Sequence, residues 1–142
     1  MTPTLADLGV MWAPNIESGV LVAREQGEAR LVLGAYFGDA DQRHVVLVWR
    51  RARAVRMEPP NDKAISGHRL YDLGLREVHW VGEVRESALI ADLERRNRVH
   101  PRHDPRRYDN LRHWVVRLKG RIVEVVAVSC EVQRADHPGS SA

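Results

Sequence analysis

The longest run of regular hydrophobic patterning lies late in the chain, in "HWVVRLKGRIVEVVAVSCEVQ" from His113 to Gln133. Branched and aromatic residues flank a central "KG", which predicts two strands joined by a tight turn. If Lys119 and Gly120 form a two-residue turn, Leu118 lies opposite Arg121, Val115 opposite Glu124 and His113 opposite Val126. Residues two apart share a face. One face therefore carries His113, Val115, Arg117, Ile122, Glu124, Val126 and Val128. The other carries Trp114, Val116, Leu118, Val123, Val125 and Ala127. Both faces are largely apolar, so the hairpin should lie inside the fold, with His113 and Glu124 as diagonal neighbours. A three-residue loop would shift the register and separate them. A carboxylate among Ile122, Val126 and Val128 is costly to bury unless it is paired. His113 is the nearest partner, since Arg117 lies further toward the turn.

Upstream, Gly19 to Arg24 and Arg30 to Phe37 form a candidate hairpin around "EQGE", and His44 to Met57 a single long strand centred on "VVLVW". "EPPNDKAISGHRLYDLGLRE" contains Pro59, Pro60, Gly67 and Gly74, the punctuation of an irregular crossing loop. A short strand is expected from His79 to Val84. Ser87 can cap a helix over Ala88 to Arg98, in which Leu89, Ile90 and Leu93 form one apolar stripe. Arg95, Arg96 and Arg98 suit the negative end of its dipole, and Pro101 and Pro105 prevent its continuation. Residues 1–16 have weak periodicity and are expected to be an arm anchored by Trp12. Residues 17–134 would form one domain and 135–142 a disordered tail. Strands on both sides of one helix predict a single α+β domain. It would hold a mostly antiparallel sheet, one main helix near 88–98 and a C-terminal β-hairpin. Trp49, Trp80 and Trp114 fall in strands and are expected in the core.

The 142 residues amount to one domain, with 44% hydrophobic residues for a core and 29% charged residues for a soluble surface. No apolar run approaches the roughly 20 residues of a membrane span. The N-terminus lacks the features of a signal peptide, which makes a cytoplasmic protein the expectation. The lone cysteine, Cys130, excludes an intramolecular disulfide and a multi-cysteine zinc site, and its strand phase predicts a buried, inert thiol. The formal charge is +3, and Lys63 and Lys119 are the only lysines. Nearly every cation is therefore a guanidinium, a group suited to carboxylate or phosphate, although a GC-rich genome gives the same bias. "RHDPRRYDNLRHW" interleaves cations with aromatics, yet Asp104 and Asp109 break the strip, so nucleic acid is not the expected partner.

Two kinds of chemistry remain open. His68, His100 and His113 could hold zinc or a similar divalent metal as cofactor, with a carboxylate nearby and an open position. His103, among loop arginines, is the weaker fourth histidine. His100 and His103 flank Pro101, so they do not share a helical face. Without metal, Glu124 could set the tautomer of His113 for acid–base catalysis, with Asp62 as a second carboxylate. Asn61, Tyr71, Asn97 and Arg117 are candidates for binding a small-molecule ligand. No Gly-x-Ser-x-Gly frame surrounds "SGH", and no phosphate loop occurs. The competing class is a non-catalytic binding or immunity-type module, in which Glu124 only closes a structural network. An enzyme would need one pocket lined by His68, His100, His113 and Glu124, whereas a module needs only a surface patch.

"NDKAISGHRLYDLGL", "NRVHPRH" and "RHWVVRLKGRIVEVVA" together resemble a family of small bacterial proteins whose function is uncharacterised. The matching positions include Asn61, Asp62, Ser66, Gly67, His68, Tyr71, Asn97, His100, His113 and Glu124. The resemblance spans about Asn61 to Ala127 and implies no activity. Lys63, Arg69, Lys119 and Gly120 depart from the family pattern.

Overall fold

Two antiparallel sheets packed face to face form the body of the protein, in a computed structural model that describes residues 4–7, 14–59, 70, 73–75 and 78–136. The strands are β1 (Thr4–Asp7), β2 (Pro14–Ala23), β3 (Ala29–Ala35), β4 (His44–Arg50), β5 (Ala54–Glu58), β6 (Val81–Arg85), β7 (Arg112–Arg117), β8 (Ile122–Ala127) and β9 (Ser129–Ala135). The main helix is α1 (Ala88–Asn97), followed by a 3-10 turn at Pro105–Tyr108. One sheet runs β1-β6-β7-β8-β5 and the other β2-β3-β4-β9. The α+β architecture with one main helix is as the patterning predicts.

The β7–β8 register is also the predicted one, with Arg117 opposite Ile122, Val115 opposite Glu124 and His113 opposite Val126. Leu118 N–H donates to Arg121 O at 2.9 Å across the two-residue turn. Trp114, Val116, Val123 and Val125 face the second sheet and meet Leu31, Leu33, Leu47 and Trp49 in the main core. Trp49, Trp80 and Trp114 are at most 1% exposed. Each removes roughly 150–250 Å² from water, about 4–6 kcal/mol of transfer free energy before entropy is subtracted. Close packing also explains Gly19, beside the β2 bulge, where an added Cβ would lie 2.7 Å from Leu33 Cδ2.

Two expected strands are divided. His44 to Met57 is not one strand: β4 belongs to one sheet and β5 to the other, with the break at Arg51, whose φ of 54° turns the chain. Likewise the C-terminal run holds three strands, because the chain changes sheet again at Val128 between β8 and β9. The two crossings run side by side. Val128 N–H donates to Arg50 O at 3.0 Å, and Arg53 N–H to Val126 O at 2.7 Å. A strand that must serve two cores bends where its two hydrophobic faces exchange roles. Thr4–Asp7, within the expected arm, pairs along β6. Trp12 and residues 137–142 lie outside the described residues.

The outer face of the five-stranded sheet is covered in two places. Leu70 and Leu75, from the connection expected to be irregular, pack on Val84, Val115 and Ile122. Leu89, with Ile90 and Leu93 from α1, packs on Val126 and Leu111. His113 and Glu124 sit between these two apolar clusters, beneath the start of the helix. Among the described residues, no helix is long and apolar enough to cross a membrane.

Candidate functional site

Ser87 caps α1 in the expected way. Its extended backbone starts the helix, and its Oγ accepts the Ile90 N–H at 3.1 Å. The same hydroxyl lies 2.8 Å from His113 Nδ1, and His113 Nε2 lies 2.9 Å from Glu124 Oε1. Ser87, His113 and Glu124 therefore form one chain of hydrogen bonds from the helix terminus into the sheet. His113 and Glu124 are each 1% exposed, and Ser87 is half-buried.

The partners decide the proton positions. A carboxylate only accepts, so the Nε2–H of His113 donates to Glu124. In the neutral imidazole Nδ1 is then an acceptor, and Ser87 donates its hydroxyl proton to it. The Ser87 oxygen remains free to accept from Ile90. Both ring nitrogens of His113 and the Ser87 hydroxyl thus have roles consistent with their neighbours. Arg56 stands directly across from Glu124 on β5.

Ser87 forms part of the wall of a cleft of about 860 Å³ between α1, the end of β6 and the 104–111 segment. Glu86, immediately before it, has φ of 55°. A left-handed conformation is unfavourable for a residue with a Cβ, and such strain is concentrated where geometry is over-determined by function or packing. Of the first N–H groups of α1, those of Ile90 and Ala91 are bound by Ser87. Those of Ala88 and Leu89 have no partner among the described residues. Ala88 lines the cleft beside Ser87.

A second histidine–carboxylate group lies at the other end of the helix. His103 Nε2 is 2.9 Å from Glu94 Oε1, and its Nδ1 is 2.8 Å from Asn97 Nδ2. Glu94 also accepts from Arg98 at 2.8 Å. The Arg98 guanidinium, followed by His103, holds the Glu94 carboxyl below its usual range. His103 is thus held in place rather than scattered on the surface as its arginine-rich neighbourhood implied.

The remaining candidates separate. His100 is exposed beyond the C-terminal end of α1, where its Nδ1 accepts the Arg102 N–H at 3.2 Å. The ten helical residues Ala88–Asn97 span about 15 Å at 1.5 Å each, and they separate His100 from the Ser87–His113 contact. Asn97 belongs with His103. Arg117 donates to Val78 O at 2.7 Å and so anchors the covering segment to the sheet. Asn61, Asp62, His68 and Tyr71 lie outside the described residues. Among the described residues no group of three His, Cys, Asp or Glu side chains could hold a metal ion, and both ring nitrogens of His113 are engaged by Ser87 and Glu124. No family profile, curated protein or solved structure matches the chain.

Sequence patterning identified the His113–Glu124 pair but not Ser87 as its third member. A local signal existed. Ser87 stands at a helix cap, and β6 runs beside β7 with Val84 opposite His113, which brings the residues after β6 to the His113 end of the sheet.

Proposed function

We propose that this protein is a small acyl-transfer enzyme, a hydrolase of activated carboxylic esters, in which Ser87 is the nucleophile, His113 its general base and Glu124 the group that orients the base. The observation that carries this reading is the continuous chain Ser87 Oγ–His113 Nδ1–His113 Nε2–Glu124 Oε1, with both links under 3 Å. Serine is a weak nucleophile until a base removes its proton, and a base works best when a third group sets its tautomer. Here Ser87 Oγ would bond to the acyl carbon while its proton passes to His113 Nδ1. That proton then leaves with the alcohol, and water repeats the sequence to free the acid and restore Ser87. The N–H groups at the start of α1 provide donors for the oxyanion. The resemblance to the small bacterial family supports the reading only in that His113 and Glu124 occupy matching positions.

A second reading, a non-catalytic binding module, is favoured by the depth of the pair. With His113 and Glu124 each 1% exposed, the chain would serve only to staple α1 to the sheet. The two readings separate in an assay of p-nitrophenyl ester hydrolysis by the full chain, its Ser87→Asn variant and its His113→Gln variant. Asparagine retains an N-cap acceptor. The enzyme reading expects Ser87→Asn to remain folded and to lose hydrolysis by about 100-fold or more. Equal rates in wild type and Ser87→Asn would leave the staple reading.

A further inference from the structure

A pocket of about 470 Å³ opens on the other side of the 104–111 segment from the Ser87 cleft, with Leu111 in both walls. It sits at the corner where both connections change sheet, so its floor is built from rigid, hydrogen-bonded backbone. Four arginines, Arg51, Arg53, Arg106 and Arg107, line it against a single acidic residue, Asp104. Arg106 already occupies that carboxylate, at 3.2 Å from Nε to Oδ1. Among the described residues Arg51 and Arg53 have no carboxylate partner, and Arg107 shares the field of Asp104 with Arg106 without forming a close ion pair. On α1, by contrast, Arg95, Arg96 and Arg98 each reach an acid one turn away.

The position of Arg51 adds a second observation. Among the described residues only Arg51 and Glu86 adopt positive φ without being glycine. Glycine would suit the bend at residue 51 better. An arginine stands there instead, and it lines the pocket. Arg53 is further placed by the Tyr108 ring, with its guanidinium carbon 5.9 Å from the centroid. Four arginines against one carboxylate leave an excess of positive charge around one concavity until an anion joins them, and phosphate oxygens match the fork of a guanidinium group. Leu111 and Val128 supply an apolar wall for an organic part.

We propose that this corner binds a small phosphate-bearing molecule through Arg51, Arg53 and Arg107. The inference is independent of the Ser87 chemistry, which lies across the 104–111 segment. The test is calorimetric titration of the full chain with inorganic phosphate and with inorganic pyrophosphate, at low ionic strength in a buffer without phosphate. The expected result is saturable binding at one site, tighter for pyrophosphate. It should be weakened roughly tenfold or more in an Arg51→Gly, Arg107→Ala double variant. Glycine at 51 relieves the bend, so that variant keeps the fold. An Arg95→Ala, Arg96→Ala control removes the same charge elsewhere and should bind like wild type. Absence of saturable binding, or equal weakening in variant and control, would overturn the proposal. Much tighter binding of a single-stranded oligonucleotide than of pyrophosphate, lost in the same double variant, would overturn the small-molecule assignment in favour of a nucleic-acid backbone.

Discussion

Replacing Glu124 by alanine removes the acceptor from a histidine N–H that cannot reach water. His113 Nε2 donates to Glu124 Oε1 at 2.9 Å, and both side chains are 1% exposed. A buried donor left without a partner costs about 1–3 kcal/mol. Truncation beside Ile122 and Val126 also leaves a void, worth about 1 kcal/mol more if the apolar neighbours do not collapse into it. The expected loss is therefore about 2–4 kcal/mol, which at a urea slope near 2 kcal/mol/M lowers the midpoint by about 1–2 M. Glu124→Gln keeps an acceptor and nearly the same volume, so it should lose less than about 1 kcal/mol. Equilibrium unfolding in urea can be followed by tryptophan fluorescence, because Trp49, Trp80 and Trp114 are buried in the native state. An unchanged midpoint for the alanine variant, or equal losses for alanine and glutamine, would refute this reasoning.

Three further outcomes are expected. Glu86 has φ of 55°, so Glu86→Gly should raise stability by about 1 kcal/mol, and a lowered melting temperature would show that its side chain has a compensating role. Asp41 is held at about 2, below its ordinary 3.8, first by the Arg43 side chain and then by the Arg43 backbone N–H. A depressed carboxyl stabilises the fold fully above its unfolded value, and that contribution is lost as pH falls from 3.8 toward about 2. An NMR titration of Asp41 with a midpoint near 3.8 would remove this contribution. Burial, partly offset by Arg112, pushes the Cys130 thiol up to about 12. Cys130 is half-buried rather than fully buried as its strand phase implied. Its raised thiol should react with a disulfide reagent at pH 8 more slowly than in the denatured chain, and equal rates in the two states would contradict the shift.

How far the sequence discloses this protein differs from element to element. The β7–β8 register is legible because a two-residue turn and period-two alternation together fix every cross-strand pair. Hence the meeting of His113 and Glu124 follows from the sequence without any tertiary information. The division of His44–Met57 does not follow. The alternation of "WRRARAV" slips by one residue at Arg50 and Arg51, but a slip alone does not signal a change of sheet, and the bend depends on a left-handed arginine, where propensity would call for glycine. The role of Ser87 is half legible: its cap is a local motif, whereas its contact with His113 spans 26 positions and depends on β6 pairing with β7. The expected meeting of His100 with His113 fails for a geometric reason. Each is tied to an opposite end of α1, and Pro101 redirects the chain after the helix so that His103, rather than His100, folds back onto Glu94 and Asn97.

The most direct test of the Ser87–His113–Glu124 assignment is covalent labelling of the full chain with a fluorophosphonate probe, read by intact mass and peptide mapping. An activated serine displaces fluoride from phosphorus, and an ordinary helix-cap serine does not. The account predicts one phosphonyl adduct per chain, located on Ser87, absent from Ser87→Asn and strongly slowed in His113→Gln. A chain that remains unlabelled while retaining its native melting temperature, or that is labelled at another residue, would contradict it.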